Sequence, residues 1–263
     1  MSKYIVSGSH GFVGESLVKD LKLKGHTVRR IPHAHYTARF PAFDYFIHLS
    51  AYGNRIDQTN HREMINANIL QLQWYLLILI KSKFKAFINF SSSSVSLPVQ
   101  SMYSITKGCG EIICEYYAQK YDMPIVTLRP YTIYGPGDEN HLIPTLFEAT
   151  RTNKAVDIVK EPHHDYVYIS DVLAAIHAAT NHANKLKGQV LDVGSGISYS
   201  NLHIFNKIQA LTKKKINVKY VKKMREYDTK KWRANPVKLM KLGWRQKVTI
   251  DQGLKNIYAE FRT

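Results

Sequence analysis

Three glycines near the start of the chain stand at a spacing that suits phosphate chemistry. In "GSHGFVG", Gly8, Gly11 and Gly14 fall between the β-branched, apolar "KYIVSG" and a segment carrying Leu17, Val18 and Leu21 at helical spacing. A tight turn at Gly8, close backbone approach near Gly11 and close helix-to-sheet packing at Gly14 would seat a pyrophosphate on a helix N-terminus. The expected cradle is Gly8, Ser9, His10, Gly11, Phe12, Val13 and Gly14. About 21 residues beyond Gly8, where a carboxylate would take the adenosine ribose 2′-hydroxyl of NAD, stand Arg29 and Arg30. Guanidinium groups only donate and pair well with a 2′-phosphate, so the expected cofactor is NADP in preference to NAD.

A second group is "SSSSVSLPVQSMYSITK", from Ser91 to Lys107, which places a polar block directly after the apolar "KAFINF" and follows it with a tyrosine and a lysine one helical turn apart. The same tyrosine-to-lysine spacing occurs at Tyr116 with Lys120 and at Tyr227 with Lys231. Only Tyr103 follows the serine-tipped strand at a helix start, which makes Tyr103 and Lys107 the pair to place in a site.

The elements that must position these groups alternate. "HTVRRI" reads as a second strand, "DYFIHLS" as a third after the proline-bearing "PHAHYTARFPAF", and "NHREMINANILQLQWYLLILIKSK" as a long helix with a wide apolar face. "FKAFINFSS" suits a strand buried on both sides, "SITKGCGEIICEYYAQKY" a helix, and "MPIVTLRP" one more strand before the "YGPGDEN" loop. Such alternation predicts an α/β fold, a Rossmann-type doubly wound parallel sheet with a smaller C-terminal substrate-binding lobe. Residues 1–137 would form the dinucleotide-binding domain, segments from about 165–196 would return to it, and 138–263 would supply the interleaved lobe.

Composition narrows the class. A chain of 263 residues, 44% hydrophobic and 11% aromatic, has ample material for a core. The apolar run "WYLLILI" is far short of the roughly 18 residues of a membrane span, and no signal-like segment opens the sequence. Two cysteines, Cys109 and Cys114, build neither a disulfide framework nor a thiol zinc site, so no metal is expected and a reduced, cytoplasmic setting fits. The formal charge of +17 attracts anions of any kind, nucleic acid and phosphorylated small molecules included.

Taken in order, the glycine turn, "DYFIHLSAYG", "NFSSSS", "YSITK", "LRPYTIYGPG", "HHDYVYISDV" and "LDVGSG" resemble the extended short-chain dehydrogenases/reductases, the family of nucleotide-sugar epimerases, dehydratases and reductases. "LMKLGWRQKVTIDQGL" is similar to that family's C-terminal signature. The resemblance implies catalysis by Ser93, the third serine of the run, with Tyr103 and Lys107. It implies cofactor contacts at His48, Leu49, Ser50, Ala51, Ser91 and Pro130, and at Asn68, with Asn66 as an alternative register. Ser93, Ser94, Thr132 and Arg225 would meet the substrate, and Asp165, Tyr166 and Asp171 would serve the structure. Lowering a phenol by three pKa units requires about 4 kcal/mol. An ammonium at about 4 Å in an effective dielectric of about 20 supplies that order of energy, so Lys107 is expected to acidify Tyr103.

The same resemblance narrows the reaction. Dehydratases of the family carry an Asp-Glu pair after the catalytic hydroxyl, where this chain has Ser94 and Val95. Thr132 stands where an asparagine often touches the diphosphate, and His164 where an arginine usually precedes "DYVY". What remains is an NAD(P)-dependent epimerase or 4-keto reductase acting on a nucleotide-diphosphate sugar in carbohydrate biosynthesis, an isomerase or oxidoreductase. The helices at 64–80 and 103–119 resemble the pair that forms the family's homodimer interface. A reading from another class is a non-catalytic, basic member of the fold that binds nucleic acid or senses a cofactor.

Overall fold

The computed structural model describes residues 1–32, 39–55, 57–139, 141–222 and 229–261. In its first half, strands β1 (Lys3–Ser7), β2 (Thr27–Ile31), β3 (Tyr45–His48), β4 (Ala86–Phe90) and β5 (Ile125–Pro130) alternate with helices. The helices are α1 (Phe12–Leu23), α2 (His61–Ile65), α3 (Gln71–Leu79) and α4 (Met102–Tyr121), with one π-helical turn, Asn66–Leu70, between α2 and α3. Beyond them come β6 (Thr132–Tyr134), α5 (Leu142–Thr152), β7 (Val156–Ile158), β8 (His163–Tyr168), α6 (Ile169–His182), β9 (Val190–Val193) and β10 (Ser198–Ser200). The chain ends with α7 (Asn201–Thr212), β11 (Val218–Tyr220), α8 (Val237–Met240) and α9 (Ile250–Phe261).

Six strands form one sheet in the order β2-β1-β3-β4-β5-β9, every pair parallel. Side chains alternate across it, so consecutive residues of one strand enter different cores. Tyr4 and Val6 pack with Leu17 and Leu21 of α1 and Ile176 of α6 on one face. Ile5 and Phe46 pack with Leu72, Tyr75 and Leu76 of α3 and Cys114 of α4 on the other. Each such side chain, fully buried, contributes about 1.5–3 kcal/mol. The chain leaves β1 for β2 on one side and resumes at β3 on the other, and this reversal opens a crevice at the strands' C-terminal ends.

The small lobe has its own core, in which Tyr134, Phe147, Ile204, Ile208 and Leu254 are buried together. Its strands form a three-stranded sheet, β10-β8-β6, and a pair, β11-β7. Residues of α6 pack in the first core and β9 pairs with β5, whereas β8 lies in the three-stranded sheet. Two buried carboxylates fasten the lobe. Asp165 accepts from the backbone N–H of Ser195 (2.8 Å), Gly196 (2.7 Å) and Ala234 (3.0 Å). Asp171 accepts from Lys247 N (3.0 Å) and Val248 N (2.9 Å). Both act as the structural residues expected of them. No helix among the described residues is long and apolar enough to cross a membrane.

Candidate active site

The crevice opens into a cavity of about 1380 Å³ that runs from the glycine turn to the small lobe. At its first end Gly8 has φ +64°, and a Cβ there would sit 2.6 Å from the backbone of Leu49 and Ser50. A Cβ on Gly14 would lie 2.2 Å from the Gly8 carbonyl oxygen. Only glycine fits either place. Gly11 is different, for a Cβ there meets nothing nearer than 3.6 Å, so the free approach lies over the start of α1. No side chain caps that start. The first N–H groups of α1 therefore remain for an anion, as a pyrophosphate cradle requires. The buried Ser50 hydroxyl beside it has no hydrogen-bond partner, which fits a polar ligand.

Of the residues the sequence singles out, Gly8, His10, Gly11, Phe12, Val13, Gly14, Leu49, Ser50, Ala51, Ser91, Ser93, Ser94, Tyr103, Pro130 and Thr132 all line this cavity. Behind the lining, Ser9 is fully buried, and His48 is held by a 2.8 Å bond between Ser7 Oγ and its Nδ1. Burial, reinforced by the charge of Lys107, pushes the His48 pKa down to about 3, so this imidazole is a neutral prop at working pH. Asn68 is the register the structure selects over Asn66. Its amide bonds both the N–H (3.0 Å) and the carbonyl (2.9 Å) of Tyr52 and also donates to Thr106 Oγ1 (2.9 Å), so the π-helical turn clamps the loop after β3. Arg225 lies outside the described residues.

The two arginines of β2 do not act together. Arg29 is exposed, while Arg30 turns to the other face and forms a two-pronged pair with Glu15 of α1, NH1 to Oε1 at 2.5 Å and NH2 to Oε2 at 2.9 Å. The joint 2′-phosphate site expected from sequence is thus absent from this arrangement, because successive strand residues face opposite ways and the guanidinium already has a carboxylate.

Tyr103 is placed by a reciprocal cap. Ser101 Oγ accepts from Ser104 N (3.2 Å), and Ser104 Oγ accepts from Ser101 N (2.7 Å), which starts α4 at Met102 and puts Tyr103 in its first turn. Lys107 follows one turn later, 4% exposed. The end of β4 turns into a short 3₁₀ segment, Ser93–Ser96, which Ser92 caps through its hydroxyl (3.2 Å from Ser94 N). Burial pushes the Tyr103 phenol up to about 12, and a hydrogen bond with Ser92 pulls it back in part. Burial likewise brings Lys107 down to about 8. This differs from the expectation that Lys107 acidifies Tyr103: among the protein's own groups desolvation wins, and the phenol is pushed up rather than down.

Sequence reasoning also missed Ser92, which meets Tyr103 while Ser93 lines the wall beside it. It missed Glu15, Asn54, Arg55, Gln58, Asn201 and Trp232, which also line the cavity. Gln58 was findable, since a side chain three residues before the helix "HREMI" could fold back; it accepts from Gly53 N at 2.8 Å. Among the described residues no cluster of metal-ligating side chains occurs.

With this geometry in place, comparison with known proteins is informative. The model of the NAD dependent epimerase/dehydratase family matches residues 4–194. The chain belongs to that family. An uncharacterized UDP-glucose epimerase, YtcB, of Bacillus subtilis (strain 168) is 25% identical over 98% of this chain and 97% of its own. The CDP-abequose synthase of Salmonella typhimurium is 26% identical over 76% of this chain and 78% of its own. Among solved structures, the UDP-glucuronic acid 4-epimerase of Bacillus cereus, crystallised with UDP-glucuronic acid and NAD, superposes with a TM-score of 0.87 at 24% identity, covering 99% of each chain. That likeness establishes the shared fold.

Proposed function

We propose that this chain is a nucleotide-sugar epimerase that uses NAD, with Tyr103 as acid and base at a sugar carbinol. The observation that carries the reading is the meeting of Tyr103, Ser92 and Ser93 with the glycine cradle in one cavity. The relatives named above, most of all the epimerase that matches nearly the whole chain, support the substrate class. Bound NAD would accept hydride from the sugar carbon and return it. With the cationic nicotinamide of bound NAD adding to the charge of Lys107 one turn below, Tyr103 would be drawn to its phenolate, take the carbinol proton and return it, while Ser92 or Ser93 holds that oxygen. Ser94 and Thr132 line the substrate side, and Asn68 steadies the loop over the cofactor.

The engagement of Arg30 by Glu15 favours NAD over NADP, and a cofactor restored within each cycle favours epimerisation over net 4-keto reduction. Exposed Ile65, Leu70, Trp74 and Leu77 on the 61–79 helix and Ile105, Ile112 and Tyr116 on α4 supply an apolar face for a homodimer. The free thiols of Cys109 and Cys114 support a cytoplasmic enzyme. The test is to incubate purified protein with UDP-, CDP- and GDP-sugars without added reductant and follow epimers by NMR, alongside NADH and NADPH oxidation with 4-keto sugar nucleotides. Epimer formation without reductant is expected; turnover only with consumed NADPH would replace the reading by a reductase.

A further inference from the structure

Beneath the cavity wall lies a buried carboxylate that the proposed chemistry leaves unused. Glu111 stands on α4 one helical turn beyond Lys107, so the two share a face of the helix. Its Oε1 accepts from the Ser91 hydroxyl at 2.5 Å and from Arg129 Nε at 3.0 Å, and its Oε2 accepts from an Arg129 terminal nitrogen at 2.6 Å. Arg129 in turn reaches Asp192 at 3.8 Å. The carboxylate therefore joins three elements, α4, the serine end of β4 and β5, at the level of Lys107.

The charges around Lys107 make that position consequential. His48, from β3, is held neutral by its burial. Burial drives the Cys114 thiol, also on α4, up to about 12, and Tyr103 likewise to about 12, so neither carries charge near neutrality. Of the two groups that favour the charged form of Lys107, Cys114 and Glu111, burial removes the thiol from the reckoning, which leaves the carboxylate. Arg129 shares that carboxylate and is itself balanced in part by Asp192.

We propose that Glu111 is a positioning residue for the Tyr103–Lys107 pair, its carboxylate keeping Lys107 an ammonium while tying α4 to the serine strand. This rests on the acid/base reading above, although its first test does not. Lysines of the full chain labelled with ¹³C at Cε are titrated by NMR, the Lys107 signal being identified by its loss in Lys107→Met. The wild-type midpoint is expected near 8. In Glu111→Gln, which keeps an acceptor for Ser91, it is expected about one unit lower, a tenfold change in acidity. Should that variant fold poorly, Glu111→Asp, which keeps the charge but draws it back by one methylene, is expected to show a smaller fall in the same direction.

An unmoved midpoint in a folded variant, even with a lowered melting temperature, overturns the proposal and leaves Glu111 a structural tie. A second readout is the alkaline limb of kcat against pH, expected to move down with the midpoint. A midpoint that shifts in a protein that turns over no nucleotide sugar would support the coupling and sink the epimerase reading instead.

Discussion

At its glycine end the cavity is walled by backbone, with Gly8 against Leu49 and Ser50 and Gly14 against the Gly8 carbonyl, and no side chain fits between. At its small-lobe end the walls are side chains, His164, Tyr166, Asn201 and Trp232, with the His164 and Trp232 rings 5.1 Å apart. The first arrangement tolerates one residue type and leaves a ligand little choice of pose. The second can change its chemistry residue by residue without disturbing the sheet. Such a scaffold can keep one way of holding a dinucleotide while the side chains at its other end change.

The reaction would occur where the two ends meet, so removing the Tyr103 hydroxyl should separate chemistry from binding most sharply. Tyr103→Phe is expected to lower kcat by about 10²- to 10⁴-fold. NAD affinity, read by quenching of tryptophan fluorescence, should stay within about twofold because the ring and its packing remain. Turnover close to wild type would remove Tyr103 from the chemistry.

The backbone-built end is tested by two alanines. Gly14→Ala forces a methyl group to 2.2 Å from a carbonyl oxygen, and overpacking of this kind costs about 1–3 kcal/mol. Lower thermal stability and at least tenfold weaker NAD binding are expected together. Gly11→Ala has 3.6 Å to its nearest neighbour, so its stability should hold while NAD binding weakens. Equal melting losses in the two variants would mean that the glycines serve the turn alone.

Legibility from sequence follows the same division. Gly8 and Gly14 were readable because only one residue type meets their backbone demands, and Tyr103 because a serine-tipped strand precedes it. Which serine meets Tyr103 could not be read from the run, since the 3₁₀ turn after β4 decides which hydroxyl faces the phenol, and it is Ser92. The acidity of Tyr103 was misjudged in sign, because desolvation depends on what α4 packs against and no local spacing reports that. The Asn66 or Asn68 ambiguity likewise needed the π-helical turn to settle it.

Arg30 illustrates the limit and supplies a smaller test. Its partner Glu15 lies 15 residues away and on another element, beyond any strand-end rule. Glu15→Gln should free the guanidinium and shift the ratio of NAD to NADP dissociation constants by about tenfold toward NADP, the scale of one charge-assisted pair. The exposed pair contributes little to folding, so the melting temperature should hardly move. An unchanged ratio would show that Arg30 lies out of reach of the ribose.

The smallest effect belongs to the far end. Trp232 packs on His164 and offers a flat ring to a ligand, and its buried indole N–H, unpartnered like the Ser50 hydroxyl, is left for a polar group. Trp232→Ala is expected to weaken binding of whichever nucleotide sugar the turnover assay identifies about three- to tenfold, the equivalent of an aromatic contact of about 0.5–1.5 kcal/mol. NAD affinity should be unaffected, because the ring packs on His164 of β8 rather than belonging to the glycine turn. A loss of NAD binding in this variant would show that the two ends are one site, and that divergence at the substrate end reaches the cofactor.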